Sequence, residues 1–353
     1  MQQKNKKKKI CFFTKFSEKG ASSNYRVLIY RSEIEEKYHS KFFCFWNDRY
    51  FTKYMGKKKK YLIPIFFQYI IKTIVRIFQL LFIAPKYDVV FIQKCVIPGL
   101  NINLLNYLRK RNVKIIFDVD DAVYLNKHDA TKFIAKCADR IIVGNEILRK
   151  YYSQYCEDVV ILPTVDYTPA YEKYYHNTFE EKCIGWLGSQ ASINNLDILI
   201  EPINILVKKH PKITFQYICN EDYGYTDKIN NSVFIKWDKK SYIKDMSNFT
   251  VGVMPLFDTK FNTGKCGFKL IQYLNLKKPV VASDVGINAK IVSDFGKTVN
   301  STNEWVYALE ELLYQSEKYS DCIINIEKKF FQRYGFSHIQ SQLIKLLDFN
   351  DMC

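Results

Sequence analysis

Short apolar runs alternate with stretches of helical periodicity along the whole chain. The runs have the length and composition of strands that a parallel sheet buries on both faces. In the first half they cover residues 10–14, 42–46, 88–92, 113–117 and 159–163. A second series covers residues 182–187, 213–219, 233–235, 250–256 and 279–283. Alternating strands and helices are typical of parallel α/β sheets, so the pattern predicts an α/β protein with two Rossmann-like domains that face a cleft.

The segment between the two series, residues 167–181, is polar and aromatic without a clear period, which favours a hinge. A chain of 353 residues is long enough for two domains of ordinary size. We predict an N-terminal domain over residues 1–168, a C-terminal domain over residues 169–325 and C-terminal helices over residues 326–353.

One stretch of the second half, residues 249–288, carries the most specific chemistry and predicts strand, loop, helix and strand. Its loop-to-helix junction places Lys265 and Lys269 beside Gly264 and Gly267. A helix N-terminus presents backbone N–H groups and the positive end of a dipole, and glycine lets a ligand approach the backbone. The junction is therefore a candidate pyrophosphate site, and the alternative is a solvated basic helix start.

The start of the C-terminal domain offers a second place for phosphate contact. The strand over residues 182–187 runs into Gly188 and Ser189, and a helical period follows over residues 194–207. The backbone at this helix start can approach a phosphate. Trp237, which follows a later strand, either stacks on a nucleotide base or belongs to the core.

Small residues follow the first strand of the N-terminal domain, where open α/β sheets bring substrate against the backbone. This segment, predicted as a loop that opens a helix, includes Gly20 and Ser22. Arg26, at its end, either binds an anion or pairs with Glu33 or Glu35.

Acidic residues end the strand over residues 113–117, in the sequence Asp118-Val119-Asp120-Asp121. Carboxylates at the carboxyl end of a strand lie where such sheets bind ligands. The D-x-D pattern is similar to the metal-binding motif of GT-A glycosyltransferases and, more weakly, to the nucleophile motif of haloacid-dehalogenase-type phosphatases. In the alternative interpretation the acids have a purely structural role, and Asp120 or Asp121 caps the next helix.

The sequence GKCGFKLIQYLNLKKPVVAS, residues 264–283, resembles the donor-binding segment of retaining glycosyltransferases of family four, which have the GT-B fold. Aligned with the family's LLEAMACGTPVVAS, it places the two glutamates of the E-x7-E motif at Gly264 and Gln272. Both acids are absent. This departure matches a variant branch of polysaccharide-assembly enzymes that reads G-K-C-G-F-K-L-x-Q-Y. The resemblance extends over most of the chain.

The resemblance implies a retaining, nucleotide-sugar-dependent glycosyltransferase that takes part in bacterial surface polysaccharide assembly. The donor would lie on the C-terminal domain, and a glycan or lipid-linked acceptor on the N-terminal domain. Lysines and backbone amides would stabilise the leaving diphosphate, so neither a metal nor another cofactor is expected. Lys269 would be the main diphosphate contact, and Gln272 would replace the ribose-binding glutamate. The other donor-side candidates are Gly188, Ser189, Trp237, Gly264, Lys265, Gly267 and Phe268.

On the acceptor side, Asp118 and Asp120 are expected to orient the acceptor or to assist its deprotonation. Asn145 falls where the family's G-N motif faces the cleft, and it could also cap the next helix. The further acceptor-side candidates are Gly20, Ser22, Arg26 and Asp121. The C-terminal helices would cross back to the N-terminal domain.

Other functions stay open because Gly264 has no side chain that could contact a donor sugar. Either another residue takes this role, with Asp258 nearest in sequence, or the chain is a catalytically weak nucleotide-sugar-binding partner in an assembly complex. A metal-dependent D-x-D enzyme is a further alternative. No recognised nucleic-acid module is visible in the sequence, so no nucleic-acid partner is expected.

The formal charge of +17 indicates an anionic partner. Ten cysteines are scattered without a C-x-x-C pair, which favours reduced thiols in the cytoplasm. The basic N-terminus is not followed by an apolar region long enough for a secretory signal.

A lysine run, residues 57–60, precedes the apolar residues 61–84. The longest uncharged part, residues 61–71, is shorter than the ~20 residues that span a bilayer. The segment fits an amphipathic helix with Lys72 and Arg76 on one side. It packs on the sheet, or it lies in a membrane interface with the lysines on anionic headgroups. We favour peripheral contact with the inner face of the membrane.

Overall fold

The computed structural model describes residues 7–54, 58–100, 103–126 and 129–349. They form two compact units. Unit 1 comprises the described residues up to Thr164 together with those from Gln340 onward, and unit 2 comprises Val165–Ile339. Lys57, in the first half of the predicted membrane-binding lysine run, lies outside the described residues.

Unit 1 is built on a parallel sheet in the order β2-β1-β3-β4-β5-β6. Its strands are β1 (Lys9–Phe16), β2 (His39–Trp46), β3 (Val89–Gln93), β4 (Lys114–Val119), β5 (Arg140–Val143) and β6 (Val159–Ile161). Its helices before the chain enters unit 2 are α1 (Ala21–Arg26), α2 (Arg31–Lys37), α3 (Asp48–Tyr54), α4 (Leu62–Phe78), α5 (Leu105–Lys110), α6 (Thr131–Cys137) and α7 (Glu146–Tyr152). The central strands are apolar at successive positions because helices cover both faces of the sheet.

Unit 2 repeats this architecture with a parallel sheet in the order β12-β11-β10-β7-β8-β9. Its strands are β7 (Cys183–Leu187), β8 (Thr214–Cys219), β9 (Ser232–Lys236), β10 (Val251–Met254), β11 (Val280–Ser283) and β12 (Gly296–Val299). Its helices are α8 (Pro169–Glu172), α9 (Asp197–Lys209), α10 (Tyr242–Ser247), α11 (Lys260–Thr263), α12 (Phe268–Asn275), α13 (Asn288–Val292), α14 (Thr302–Tyr314), α15 (Ser316–Asn325) and α16 (Phe331–Tyr334). The last helix, α17 (Phe336–Leu347), begins in unit 2 and ends in unit 1.

Each sheet has a switch point, where the chain stops adding strands on one side and starts on the other. It lies between β1 and β3 in unit 1 and between β7 and β10 in unit 2. Loops that leave the carboxyl ends of these strands part in opposite directions, which opens a crevice for ligands. The candidate residues after β1, β4, β7 and β10 therefore lie near the ligand-binding edge of their own sheet.

One local prediction was wrong, and one helix begins a few residues later than predicted. The small-residue segment that begins at Gly20 is not a loop, because Ala21–Arg26 is already helical. The segment after Ser189 forms a 3-10 helix over Gln190–Leu196 before α9 begins. Serine and asparagine in this segment hydrogen-bond nearby backbone groups, which favours short turns over a continuous α-helix.

The apolar segment of unit 1 is longer and differently oriented than predicted. Helix α4 continues through a π-helical turn, Gln79–Ile83, and a 3-10 turn, Ala84–Lys86. The whole of Leu62–Lys86 is, by length and composition alone, long and apolar enough to cross a membrane, and 11% of its apolar 18-residue window is buried. Arg76 was expected on a polar side with Lys72, but its side chain points into the core and is 2% exposed.

Candidate functional site

The α12 junction of unit 2 has the geometry of a ligand-binding helix start. Gly267 occupies the N-cap position in the left-handed region, with φ +67°. A Cβ atom there would come within 2.3 Å of the Ile291 side chain. Glycine is therefore required at this position for both conformation and space. The first turn of α12 directs the backbone N–H groups of Phe268 and Lys269 away from the helix body.

The side chain of Lys269 is half-buried and reaches the turn that follows β7. Its Nζ atom donates to Ser192 Oγ at 3.0 Å and lies 4.4 Å from the ring centroid of Trp186. Burial, with a smaller contribution from the charge of Lys265, lowers the pKa of the Lys269 ammonium to about 7. The predicted pair of lysines is thus brought together, and a bound anion would offset the unfavourable charge.

Lys265 and Gly264 precede this helix in a short connection. Lys265 is half-buried, and its Nζ lies 5.9 Å from the Phe261 ring. Gly264 is buried, and its backbone N–H donates to the Phe261 carbonyl at 3.2 Å. Phe268 is half-buried.

The turn after β7 is held by a capping box in which Ser189 and Ser192 bond each other's backbone. Glycine is needed at residue 188 for packing, because a Cβ atom there would lie 2.2 Å from the Trp186 indole. The indole is fully buried against this turn. Gly188 and Ser189 therefore shape the turn that Lys269 contacts.

Gln272 is engaged differently than predicted. It is 5% exposed, and its Nε2 donates to Asp166 Oδ2 at 3.0 Å. Tyr171 and Tyr242 donate to the same oxygen at 2.6 and 3.2 Å, and the backbone of Tyr167 donates to Oδ1 at 2.7 Å. The amide of Gln272 is thus committed to a buried carboxylate, so its predicted role at a ribose is not supported by these contacts.

Trp237 does not belong to the core, because 41% of its surface is exposed. Its ring lies 6.0 Å from that of Tyr242, with 32° between the planes. Its backbone N–H donates to the Cys219 carbonyl at the end of β8. Of the two interpretations, exposure favours an aromatic surface on which a base can stack.

In unit 1, Arg26 pairs with Asp118 rather than with Glu33 or Glu35. Both side chains are 1% exposed. Arg26 Nε donates to Asp118 Oδ1 at 3.0 Å, its Nη2 also contacts that oxygen, and its Nη1 donates to the Leu162 carbonyl. Burial alone would lower the pKa of the guanidinium, but the Asp118 and Asp120 charges together raise it. This enclosed pair does not support an anion-binding Arg26 or direct contact between Asp118 and an acceptor.

The next two acids share a lysine. Lys94 Nζ lies 3.0 Å from Asp120 Oδ1 and 2.8 Å from Asp121 Oδ2. Ser22 Oγ donates to both oxygens of Asp120, at 2.7 and 2.6 Å. Burial alone would raise the pKa of Asp120. The charge of Lys94 makes the largest of the contributions that instead hold this pKa below its usual range. Asp120 is thus an ionised, anchored carboxylate rather than a helix cap.

Two further residues that were predicted on the acceptor side have structural roles. Asn145 caps α7, and its Oδ1 accepts the Leu148 backbone N–H at 2.9 Å. Gly20 is the N-cap of α1, where a Cβ atom would overlap the Phe16 side chain at 2.3 Å. The capping prediction for Asn145 is therefore confirmed.

Sequence reasoning missed four partners of the candidate residues: Trp186, Ser192, Asp166 and Lys94. Each lies far along the chain from the group that it contacts. Trp186 and Ser192 flank the turn at Gly188 and Ser189, which the sequence did predict. That turn was the feature from which these two partners could have been found. Lys94 follows a buried strand and adopts the left-handed conformation, with φ +64°.

Comparison with solved structures identifies the fold. The chain matches the pneumococcal O-GlcNAc transferase GtfA in complex with UDP and GlcNAc at 16% identity and a TM-score of 0.57, over 77% of this chain and 59% of GtfA. It thus spans well under two thirds of GtfA. It matches HepE of Anabaena in complex with UDP and glucose at 14% identity and a TM-score of 0.62, over 96% of this chain and 98% of HepE.

A third match is the UDP-GlcNAc 2-epimerase of Neisseria meningitidis bound to UDP-GlcNAc. It has 12% identity and a TM-score of 0.58, over 96% of this chain and 99% of the epimerase. No family model and no curated protein matches the sequence. The chain therefore has the α/β, two-domain GT-B fold, as predicted. Membership of family four stays a prediction.

Proposed function

We propose that the chain is a nucleotide-sugar-dependent glycosyltransferase whose donor diphosphate binds at the start of α12. The observation that carries the proposal is the Lys269 ammonium, which is half-buried at the switch point of unit 2 beside Lys265. Such a cation gains a counter-charge when an anion binds. Trp237, exposed after β9, would stack on the base.

The proposed reaction breaks the bond between the anomeric carbon and the diphosphate oxygen. Negative charge develops on the diphosphate, and fixed cations and amides placed in advance lower the barrier. The acceptor hydroxyl oxygen bonds to the anomeric carbon on the face that the diphosphate leaves, and its proton passes to a departing phosphate oxygen. Retention follows from this geometry without a separate protein base. The resemblance of residues 264–283 to retaining enzymes supports this part of the proposal.

We propose that transfer is independent of metal. The contacts of unit 1 support this proposal, since the single ammonium of Lys94 already lies at ion-pair distance from both Asp120 and Asp121. A divalent cation at these two acids would meet a buried like charge. The D-x-D alternative requires this lysine to move away.

The proposed acceptor is a glycan or lipid-linked sugar of a bacterial surface polysaccharide, transferred on the cytoplasmic side of the membrane. UDP is the first nucleotide to test because GtfA and HepE are complexed with it. The competing functions are a catalytically weak donor-binding partner and, given the epimerase match, an enzyme that converts the nucleotide sugar itself.

The test combines donor binding with turnover. Thermal stabilisation is measured with UDP, GDP, ADP, CMP and dTDP, with and without EDTA, since a ligand of the folded state raises the Tm. We expect one nucleotide to stabilise the wild type in EDTA and not Lys269→Ala. The matched control is Lys260→Ala, an exposed lysine of α11, which keeps the shift.

Turnover is then followed by mass spectrometry with the matching nucleotide sugars and a mixed glycan and lipid-linked acceptor pool. Acceptor-dependent mass gain with release of the diphosphate supports the proposal. Binding without turnover indicates the donor-binding partner, and isomerised nucleotide sugar without acceptor indicates an epimerase. Loss of nucleotide binding or turnover in EDTA would overturn metal independence.

A further inference from the structure

We propose that the outer face of α4 and the turns that continue it lie flat in the interface of an anionic membrane, with their apolar side chains among the lipid chains. This outer face is defined by the large exposed apolar side chains of Leu62, Ile63, Phe66, Phe67, Ile70, Ile71, Ile74, Val75, Phe78 and Phe82. The inference stands apart from the proposed function, because it does not depend on what binds at Lys269.

The exposed large apolar side chains are concentrated on one element. Ile63 is 72% exposed, and Phe66 and Phe67 are each 60% exposed. Leaving such side chains in water forgoes the favourable free energy of burying apolar surface. Exposed apolar residues elsewhere in the described chain are scattered singly, which is normal for a soluble surface. A continuous row on one helix indicates a surface that is covered.

The inner face of the same helix fixes it to unit 1. Tyr61, Ile65, Tyr69 and Ile77 pack against the core of the sheet. Arg76 Nη2 donates to the Phe43 carbonyl at 3.0 Å, and its guanidinium lies 4.4 Å from the Phe13 ring centroid. The helix is therefore held along its length with its apolar side outward, which is the reverse of the usual amphipathic arrangement on a soluble domain.

This attachment favours a helix that lies on a membrane over one that crosses it. A spanning helix is surrounded by lipid or by other spanning elements, whereas here one face is occupied by the sheet of unit 1. Lying flat needs only the outer side chains to enter the boundary of the acyl chains. The length of Leu62–Lys86, which would allow it to cross a membrane, instead gives a long line of contact with the membrane surface.

Charge identifies the occupant as an anionic lipid surface. The segment Leu62–Lys86 contains no aspartate or glutamate. Lysines bracket it: Lys53 and Lys60 are exposed before its start, Lys86 is exposed at its end, and Lys72 is half-buried within it. Each basic residue near an anionic membrane surface strengthens the attraction to that surface. A second copy is disfavoured because each chain carries a net charge of +17.

The experiment measures binding of the full chain to phosphatidylcholine vesicles with and without phosphatidylglycerol, by sedimentation. The test variant carries Phe66→Ser, Phe67→Ser and Ile70→Ser. The matched control carries Ile205→Ser, Val233→Ser and Tyr307→Ser, which remove three exposed apolar side chains of unit 2. Circular dichroism and Tm establish that both variants fold.

We expect the wild type and the control to bind the anionic vesicles, and the test variant to bind at least about tenfold more weakly, since three large apolar contacts are lost. Added salt should weaken binding of the wild type. In a second measurement, lipids brominated along the acyl chain should quench the fluorescence of the tryptophan introduced by Ile71→Trp. They should not quench that of the tryptophan introduced by Tyr307→Trp.

Three results would overturn the proposal. The test variant could bind vesicles as tightly as the wild type does. The wild type could fail to bind anionic vesicles. Analytical ultracentrifugation could show a dimer that dissociates only in the test variant, with no vesicle binding, and the face would then be an interface between copies.

Discussion

The Nζ atom of Lys269 lies 4.4 Å from the centroid of the Trp186 indole ring. This contact joins the first turn of α12 to the end of β7. The indole fits because residue 188 is glycine, and the ammonium is held on the ring by Ser192. Electrostatic attraction between a cation and an aromatic face persists when the site is dry. The lysine is therefore positioned before any ligand arrives, as electrostatic catalysis requires.

Removal of this ammonium should impair transfer strongly. We expect Lys269→Ala to lower turnover by about 100- to 1000-fold, the usual effect of deleting one positioned charge stabiliser. Initial rates at saturating donor measure the effect. Lys260→Ala should stay within about twofold of the wild type. Equal rates for the two variants would remove Lys269 from the mechanism.

Donor affinity should depend on pH through the same lysine. The pKa of Lys269 is lowered to about 7, so the free protein loses this charge as pH rises above that value. A bound diphosphate favours the charged form, so binding takes up a proton and affinity falls with rising pH. Calorimetry of UDP binding in buffers with different ionisation heats measures the uptake. Uptake that persists in Lys269→Ala would contradict the assignment.

The same shift has a consequence for the free protein. Between about pH 7 and the ordinary lysine value the unfolded chain binds the extra proton, so the contribution of Lys269 to the free energy of unfolding rises with pH. Urea unfolding of the wild type and Lys269→Ala across this window measures the difference. A difference that is constant with pH would contradict the lowered pKa.

Restoring an acid at residue 272 should be harmful. Gln272→Glu would place a second carboxylate against the buried Asp166, whose pKa is already raised by burial. We expect a loss of about 1–3 kcal/mol or more in the free energy of unfolding. The loss should grow as pH rises and both acids ionise. The double variant Gln272→Glu, Asp166→Asn should recover stability, and failure of this rescue would show that the two side chains are not coupled.

Two glycines with similar backbone angles allow the cost of left-handed backbone strain to be separated from the cost of steric overlap. Gly267 has φ +67° and a Cβ there would lie 2.3 Å from Ile291, whereas Gly224 has φ +71° and a Cβ there would meet only Asp227 Oδ2, at 3.9 Å. Alanine at Gly224 should cost only the left-handed strain, about 1–2 kcal/mol. Gly267→Ala should cost more and should also weaken nucleotide binding. Equal effects in urea unfolding would mean that the Ile291 contact is readily relieved.

The pair formed by Arg26 and Asp118 should be important for the stability of unit 1. Arg26→Ala leaves a fully buried carboxylate without its guanidinium and should cost about 3–5 kcal/mol. The control is Arg31→Ala, which breaks an exposed pair with Glu35 and should cost less than about 1 kcal/mol. Comparable losses of Tm in the two variants would contradict this assignment.

The sequence predicted the order of strands and helices because that pattern is local and periodic. It also located the start of α12, where Gly267 and Lys269 are two residues apart. It could not supply the partners, since Ser192 lies 77 residues from Lys269 and Asp118 lies 92 residues from Arg26. Such pairs arise only when strands come side by side.

The orientation of α4 shows a different limit. Arg76 was assigned to a polar side because charged groups avoid apolar surroundings. The Phe13 ring and the Phe43 carbonyl hold its guanidinium inside unit 1, so the apolar side of the helix faces outward. Periodicity reveals that a helix has two faces, but the neighbouring elements determine which one is buried.

Helix α17, which follows unit 2 in the sequence, completes unit 1. The Tyr38 hydroxyl donates to the Ile344 carbonyl at 3.0 Å, and Arg140 Nη1 donates to the Leu346 carbonyl at 2.8 Å. A ribosome makes all of unit 2 between these partners. Unit 2 is continuous and can fold as soon as it emerges, whereas unit 1, although begun first, must wait for α17. The order of synthesis and the order of completion are therefore opposite in this protein.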